Sequence, residues 1–123
     1  RVDLPGFTDN PFACMARARL FVLSSAWEGL PGVLIQAMAC GTPVVSTDCP
    51  SGPREVLADG RYGLLVPVGS AEALAQAMAQ TLEHPPAPDQ LKARAADFGL
   101  APVTRRYLEA LGFAAGGPVG AAP

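Results

Sequence analysis

Three short apolar runs, Leu20-Phe21-Val22-Leu23, Val44-Val45-Ser46-Thr47 and Leu64-Leu65-Val66, set the frame for this chain. The first is continuous and too short for a buried helix, so it reads as an interior parallel strand. The second reads as another interior strand and the third as a strand stopped by Pro67. Helical segments and short links alternate with them. That rhythm predicts an α/β fold, a parallel sheet with helices on both faces. In such sheets ligands bind outside the carboxyl ends of the strands.

The helices carry start and stop signals. Asp9 or Asn10 caps a helix with Pro11 at its first position, running to about Arg19. Gly32 to Cys40 is apolar nearly all round and is expected to be deeply buried; Gly41 and Pro43 end it. A short helix follows over Arg54–Leu57, closed by Asp59-Gly60. Ser70 caps an amphipathic helix with Leu74, Ala77, Met78 and Leu82 on one face. Two more helices are expected at about Asp89–Asp97 and Pro102–Leu111. The chain opens on Val2–Leu4, which reads as a strand without lead-in, as in a piece of a longer protein. Residues 1–112 form the expected domain, and residues 113–123 a disordered tail rich in Gly, Ala and Pro.

Composition excludes several function classes. A net charge of -2 gives no electrostatic footprint for nucleic acid. No apolar run approaches the ~20 residues of a membrane span, and no secretory signal opens the chain. Three cysteines, Cys14, Cys40 and Cys49, are an odd set without close spacing. They read as small buried thiols in a reducing compartment rather than a zinc site or disulfide framework.

The chemistry concentrates between Glu28 and Pro43. An acidic residue is followed by the turn Gly29-Leu30-Pro31-Gly32, which runs into an apolar helix. A turn entering a helix N-terminus presents unpaired N–H groups and the positive end of the helix dipole, an anion site suited to phosphate. The Glu28 carboxylate is suited instead to accepting hydrogen bonds from hydroxyls. A diphosphate joined to a polyol, a nucleotide sugar, satisfies both halves. The plainer reading makes Glu28 a dipole-complementing acid. Trp27 reads as packing, Ser51-Gly52-Pro53 as turn chemistry and His84 as a solvated helix end.

The run Ser25-Ala26-Trp27-Glu28-Gly29-Leu30-Pro31-Gly32-Val33-Leu34-Ile35-Gln36-Ala37-Met38-Ala39-Cys40-Gly41-Thr42-Pro43 resembles the donor-site signature of glycosyltransferase family 4, retaining enzymes of the GT-B fold. Ser51–Leu57, Asp59–Pro67 and the helix from Ala71 fit the same pattern, so the likeness covers residues 1–112. It implies a truncated carboxyl-terminal, Rossmann-like donor domain. In the family, two Glu residues separated by seven positions mark the site. The likeness puts Glu28, Gly29, Leu30 and Pro31 on the donor sugar. It puts Gly32 and Val33 on the diphosphate and the second acid's place, Gln36, on the ribose. Gly6 and Phe7 resemble the loop that borders the base. Gln36 departs from the pattern. Its amide oxygen still accepts a hydrogen bond, without charge assistance, at a cost on the order of 1 kcal/mol.

The likeness also marks what lies outside the sequence: the acceptor-binding domain and a basic pair for the diphosphate. Arg17, Arg19 and Arg54 stand at the wrong places to substitute. The helix near Arg105-Arg106-Tyr107-Leu108 resembles the terminal helix that packs across the two-domain junction. The implied activity is transfer of a sugar from a nucleotide diphosphate sugar to an acceptor hydroxyl with retention, without metal or cofactor. The implied acceptor is a sugar or lipid-linked glycan, held by the missing domain. The isolated chain is expected to be inactive. The expected setting is bacterial polysaccharide assembly in the cytoplasm, with the inner membrane face open to the intact enzyme. A GT-B epimerase or phosphorylase relative and a non-catalytic nucleotide-binding fragment stay open as alternatives.

Overall fold

The computed structural model describes residues 1–113. Strands β1 (Phe21–Leu23), β2 (Val44–Thr47) and β3 (Leu64–Val66) form a parallel sheet in the order β1-β2-β3. Val45 of β2 is level with Val22 on one side and Leu64 on the other. Six helices surround it: α1 (Pro11–Arg17), α2 (Gly32–Ala39), α3 (Pro53–Val56), α4 (Ala71–Glu83), α5 (Pro88–Ala96) and α6 (Leu100–Ala110).

Local sequence explains the ends. Asn10 Oδ1 accepts the Ala13 N–H at 3.1 Å, with Pro11 at the first helical position of α1. Ser70 Oγ accepts the Ala73 N–H at 3.2 Å at the head of α4. α2 closes in a Schellman motif, with Thr42 N–H on the Ala37 carbonyl and Gly41 N–H on the Met38 carbonyl. Gly41 takes φ +78, which favours glycine.

Alternation along β2 divides the core into two layers. Val44 joins Leu34, Ala37 and Met38 of α2, Val56 and Leu57 beside α3, and Leu91 and Ala95 of α5. Val45 faces the other way and packs with Val66 and with Ala77 of α4. Helices therefore cover both faces of the sheet, the fold class expected from the rhythm of the chain. Within the α2-side layer, Arg94 also ties α5 to α3. It donates to the Val56 and Glu55 carbonyls at 3.0 and 2.6 Å and lies 4.7 Å from the Phe98 ring centroid.

Six expectations need correcting. Of the three cysteines expected to be buried, Cys49 is, whereas Cys14 is exposed and Cys40 half-buried. Val2–Leu4 is not a strand: Val2 and Leu4 are 88% and 90% exposed, and no strand beside them among the described residues supplies backbone partners. β1 is an edge strand of the described sheet, because only β2 has neighbours on both sides. α2 is buried along one side only. Leu34, Ala37 and Met38 face the core, while Val33, Gln36 and Ala39 stay exposed. Apolar composition all round does not bury a helix that has only one packed face. Trp27 is 78% exposed, because polar contacts rather than apolar burial hold its loop. Phe113, placed in the tail, caps α6 instead: its N–H bonds the Leu108 carbonyl at 2.9 Å. The rest of the expected tail, 114–123, lies outside the described residues. Smaller differences are boundaries. α1 stops at Arg17 and α6 begins at Leu100.

Leu91 is fully buried between α5 and α2, whereas Leu100 is 87% exposed. Leu91→Ala is expected to cost about 2–5 kcal/mol by loss of burial and cavity formation. Leu100→Ala is expected to stay within roughly 0.5 kcal/mol. Urea denaturation of the two variants checks this pair.

Candidate functional site

The carboxyl ends of β1 and β2 feed two loops that meet. The first, after β1, carries Ser25, Trp27 and Glu28 into the turn Gly29–Gly32. The second, after β2, runs from Asp48 to Gly52 and enters α3. Polar bonds at the strand ends hold the first loop down. Thr47 is buried in β2, and its Oγ1 donates to the Ser25 carbonyl at 2.6 Å. Ser25 Oγ in turn donates to Glu28 Oε1 at 2.6 Å. The half-buried Glu28 carboxylate is therefore fixed by one oxygen. Oε2 makes no hydrogen bond among the described residues.

The turn after Glu28 is tight. Pro31 sits at φ -75, ψ 82, and the Gly32 N–H bonds the Leu30 carbonyl at 2.9 Å. This is an inverse γ-turn centred on Pro31. The Gly32 N–H is thereby engaged. The N–H groups of Gly29, Leu30 and Val33 make no hydrogen bond among the described residues. Donors for an anion thus come from Val33 at the head of α2 and from the loop before it, rather than from Gly32. Gln36 lies one helical turn beyond Val33 with its side chain exposed. Positions 33 and 36 therefore share the open side of α2.

Gly6 and Phe7 lie in the extended lead before α1, and Phe7 is 92% exposed. No packing brings its ring onto the Glu28 turn. Leu30 is 59% exposed and lines a 300 Å³ space with Phe98 and with Val103, Arg106 and Tyr107 of α6. A larger cleft of 670 Å³ opens beside the turn, not over it, along Asp48–Gly52 and α3. Arg54 borders this cleft and is paired with Asp48 and, at 3.3 Å, with Asp59. Those bonds, the one to Asp48 foremost, hold its guanidinium above its ordinary range. With two carboxylates on it, Arg54 is not a free cation for a phosphate. Among the described residues no group of His, Cys, Asp and Glu has the arrangement of a metal site. Nor is any described helix long and apolar enough to cross a membrane.

Comparison with known proteins places this geometry. Residues 1–84 match the family model Glycosyl transferases group 1. The chain belongs to this family. It is 41% identical over 83 residues to a Campylobacter jejuni N-acetylgalactosamine-N,N'-diacetylbacillosaminyl-diphospho-undecaprenol 4-alpha-N-acetylgalactosaminyltransferase, covering 68% of this chain and 23% of that one. It is 38% identical over 99 residues to the Rhizobium meliloti lipopolysaccharide core biosynthesis glycosyltransferase LpsE, covering 80% and 28%. The crystal structure of Anabaena HepE in complex with UDP superposes with a TM-score of 0.66 at 26% identity, over 80% of this chain and 29% of that one. The chain spans about a quarter of the length of these glycosyl transferases group 1 relatives.

Three residues that shape the site were missed in the sequence. Ser25 looked like part of the lead into the turn, yet the Ser-x-x-Glu spacing that lets it reach Glu28 was visible. Thr47 looked like the last residue of a strand, and only the parallel pairing of β1 and β2 shows that it spans to the neighbouring loop. Gly52 looked like turn chemistry alone, but it touches the first loop. Thr47→Val keeps the shape and removes the donor, leaving the Ser25 carbonyl without its partner. The expected cost is about 1–3 kcal/mol, read by denaturant titration.

Proposed function

We propose that this chain is the donor-binding part of a GT-B glycosyltransferase of family 4. The intact enzyme would transfer a sugar from a nucleotide diphosphate sugar to an acceptor hydroxyl with retention. The carrying observation is the Glu28 turn. One carboxylate oxygen is held by Ser25 while the other is available to sugar hydroxyls, beside unpaired N–H groups of Gly29, Leu30 and Val33. Hydroxyl acceptor and anion donors stand within one turn of chain, as a sugar diphosphate needs. In this reading Glu28 and the turn Gly29–Pro31 hold the sugar, Val33 and the head of α2 at Gly32 face the diphosphate, and Gln36 takes the ribose. Gly6 and Phe7 border the base once the lead before α1 folds over the ligand.

The protein's contribution to the reaction is positioning and stabilisation of charge on the leaving diphosphate. Donors fixed by the α2 turn act without reorganising at the moment of reaction. The UDP complex of HepE supports a nucleoside diphosphate as the ligand class. The names of the relatives, one acting on a diphospho-undecaprenol glycan, support a lipid-linked or polysaccharide acceptor. That acceptor would be held by a separate amino-terminal domain. Two basic residues near the turn are already engaged, Arg54 by Asp48 and Asp59 and Arg94 by two carbonyls, and Arg106 lies across the α6 space from Leu30. On this ground the isolated chain binds donor but does not turn it over.

Calorimetric titration with UDP, GDP and ADP sugars tests the reading. Glu28→Ala removes a charged acceptor and is expected to weaken binding about 10- to 100-fold. An unchanged affinity removes Glu28 from the site. Gln36→Glu restores charge assistance to the ribose contact and is expected to tighten binding roughly fivefold, from a gain on the order of 1 kcal/mol. The same titrations with the parent nucleosides, which carry no diphosphate, should show little binding.

A further inference from the structure

The second loop does more than enter α3. Gly52 has φ +83, and a Cβ built on it would overlap the Gly29 carbonyl oxygen and the Pro31 ring, with the Gly29 carbonyl carbon 3.2 Å away. The Gly52 backbone therefore rests directly on the two residues that shape the Glu28 turn. The loop holding it is itself constrained. Pro53 follows and is fully buried, Ser51 adopts φ 62, and Arg54 ties the start of the loop at Asp48 to Asp59 beyond α3. A left-handed non-glycine residue is uncommon and persists where surrounding contacts determine it.

We infer that Gly52 is a positioning residue for the donor turn. Its bare Cα sets how close the second loop approaches Gly29 and Pro31, and so fixes where the Gly29, Leu30 and Val33 N–H groups point. This inference rests on the donor-site reading for its consequence in binding, but the contact itself stands apart from any ligand. Two distinct constraints make glycine necessary at position 52. One is the backbone at φ +83, ψ -62, which strains any residue that carries a Cβ. The other is the overlap with backbone and ring atoms of the turn. The neighbouring atoms are a carbonyl and a proline ring, not the flexible end of a side chain, so relief requires moving the turn.

Gly41 separates the two constraints. It also has a positive φ, +78, but a Cβ there meets the end of the Lys92 side chain at 3.1 Å and Pro88 at 3.2 Å, at the far end of α2. The experiment compares Gly52→Ala with Gly41→Ala in the full chain, by amide exchange and by UDP titration. Gly52→Ala should raise exchange at least tenfold at the Gly32 and Leu34 turn amides, which bond the Leu30 and Pro31 carbonyls, and weaken UDP binding at least tenfold. Gly41→Ala should leave both within twofold, although it also loses stability. Gly52→Ala with unmoved turn amides overturns the inference. So does a UDP affinity within twofold of the parent. A parent chain that binds no UDP counts against the donor-site reading, and the amide comparison then decides the role of Gly52. If Gly52→Ala does not fold, Pro31→Ala probes the contact from the other side. It should speed exchange at least threefold at Val56, whose N–H bonds the Gly52 carbonyl at 2.8 Å, and an unchanged Val56 amide overturns the inference.

Discussion

Strand β2 is the constraint on which the rest depends. All four of its residues are buried, and it alone has a strand on each side. Its alternation sends Val44 into the layer with α2 and α5 and Val45 into the layer with α4. Both cores therefore meet on one short backbone. The glycine at position 63 follows from the same crowding: a Cβ there would lie 2.6 Å from the Val44 carbonyl oxygen. Because β2 is immobilised on four sides, its carboxyl end is a firm base for whatever is built on it. Thr47 is the last residue of that base and its hydroxyl holds the neighbouring loop.

The site is thus assembled from loops that brace one another rather than from helices alone. Thr47 fixes the Ser25 carbonyl, Ser25 fixes Glu28, and Gly52 fixes the turn that follows. Each contact is short-range and each partner lies at a strand end, so small errors do not accumulate along flexible chain. A candidate site positioned by rigid elements and locked side chains keeps its geometry. The charged bonds nearby are of a different kind. Arg54 is solvent-exposed, and its pairs with Asp48 and Asp59 serve mainly to tie the start of the second loop to the turn after α3, since exposed pairs contribute little stability.

Sequence and structure agree where local signals decide the outcome. The short apolar runs became parallel strands, Asn10 and Ser70 became caps, and Gly41 closed α2, because each answers to chemistry within a few residues. The runs could not say which strand lies inside the sheet. That depends on pairing, and β1 and β3 have apolar runs as strong as β2 does. The exposure of Val33 and Gln36 was hidden for a similar reason: an apolar helix shows which residues can be buried, not how many partners surround it. At the site, Glu28 and its turn were legible from residue type and order. The engagement of the Gly32 N–H by Leu30 and the contact of Gly52 with Gly29 were not. One depends on the ψ of Pro31 and the other on two loops far apart in sequence.

The electrostatics of the turn follow from these placements. A diphosphate at the head of α2 would meet neutral N–H donors and the helix dipole, with Arg54 already bound to two carboxylates. A helix end carries roughly half a charge, and its influence fades within the first turn. That is enough to orient an anion but small beside the two or more negative charges of a diphosphate. Glu28, close by and negative, opposes the phosphate while favouring sugar hydroxyls. In the proposed reading the turn would discriminate along the ligand, with hydroxyls directed to the carboxylate and phosphate to the N–H groups. Orientation is what such a site does well. Neutralising the charge that develops on the leaving diphosphate requires cations that Arg54 and Arg94, held by carboxylates and carbonyls, are not placed to provide.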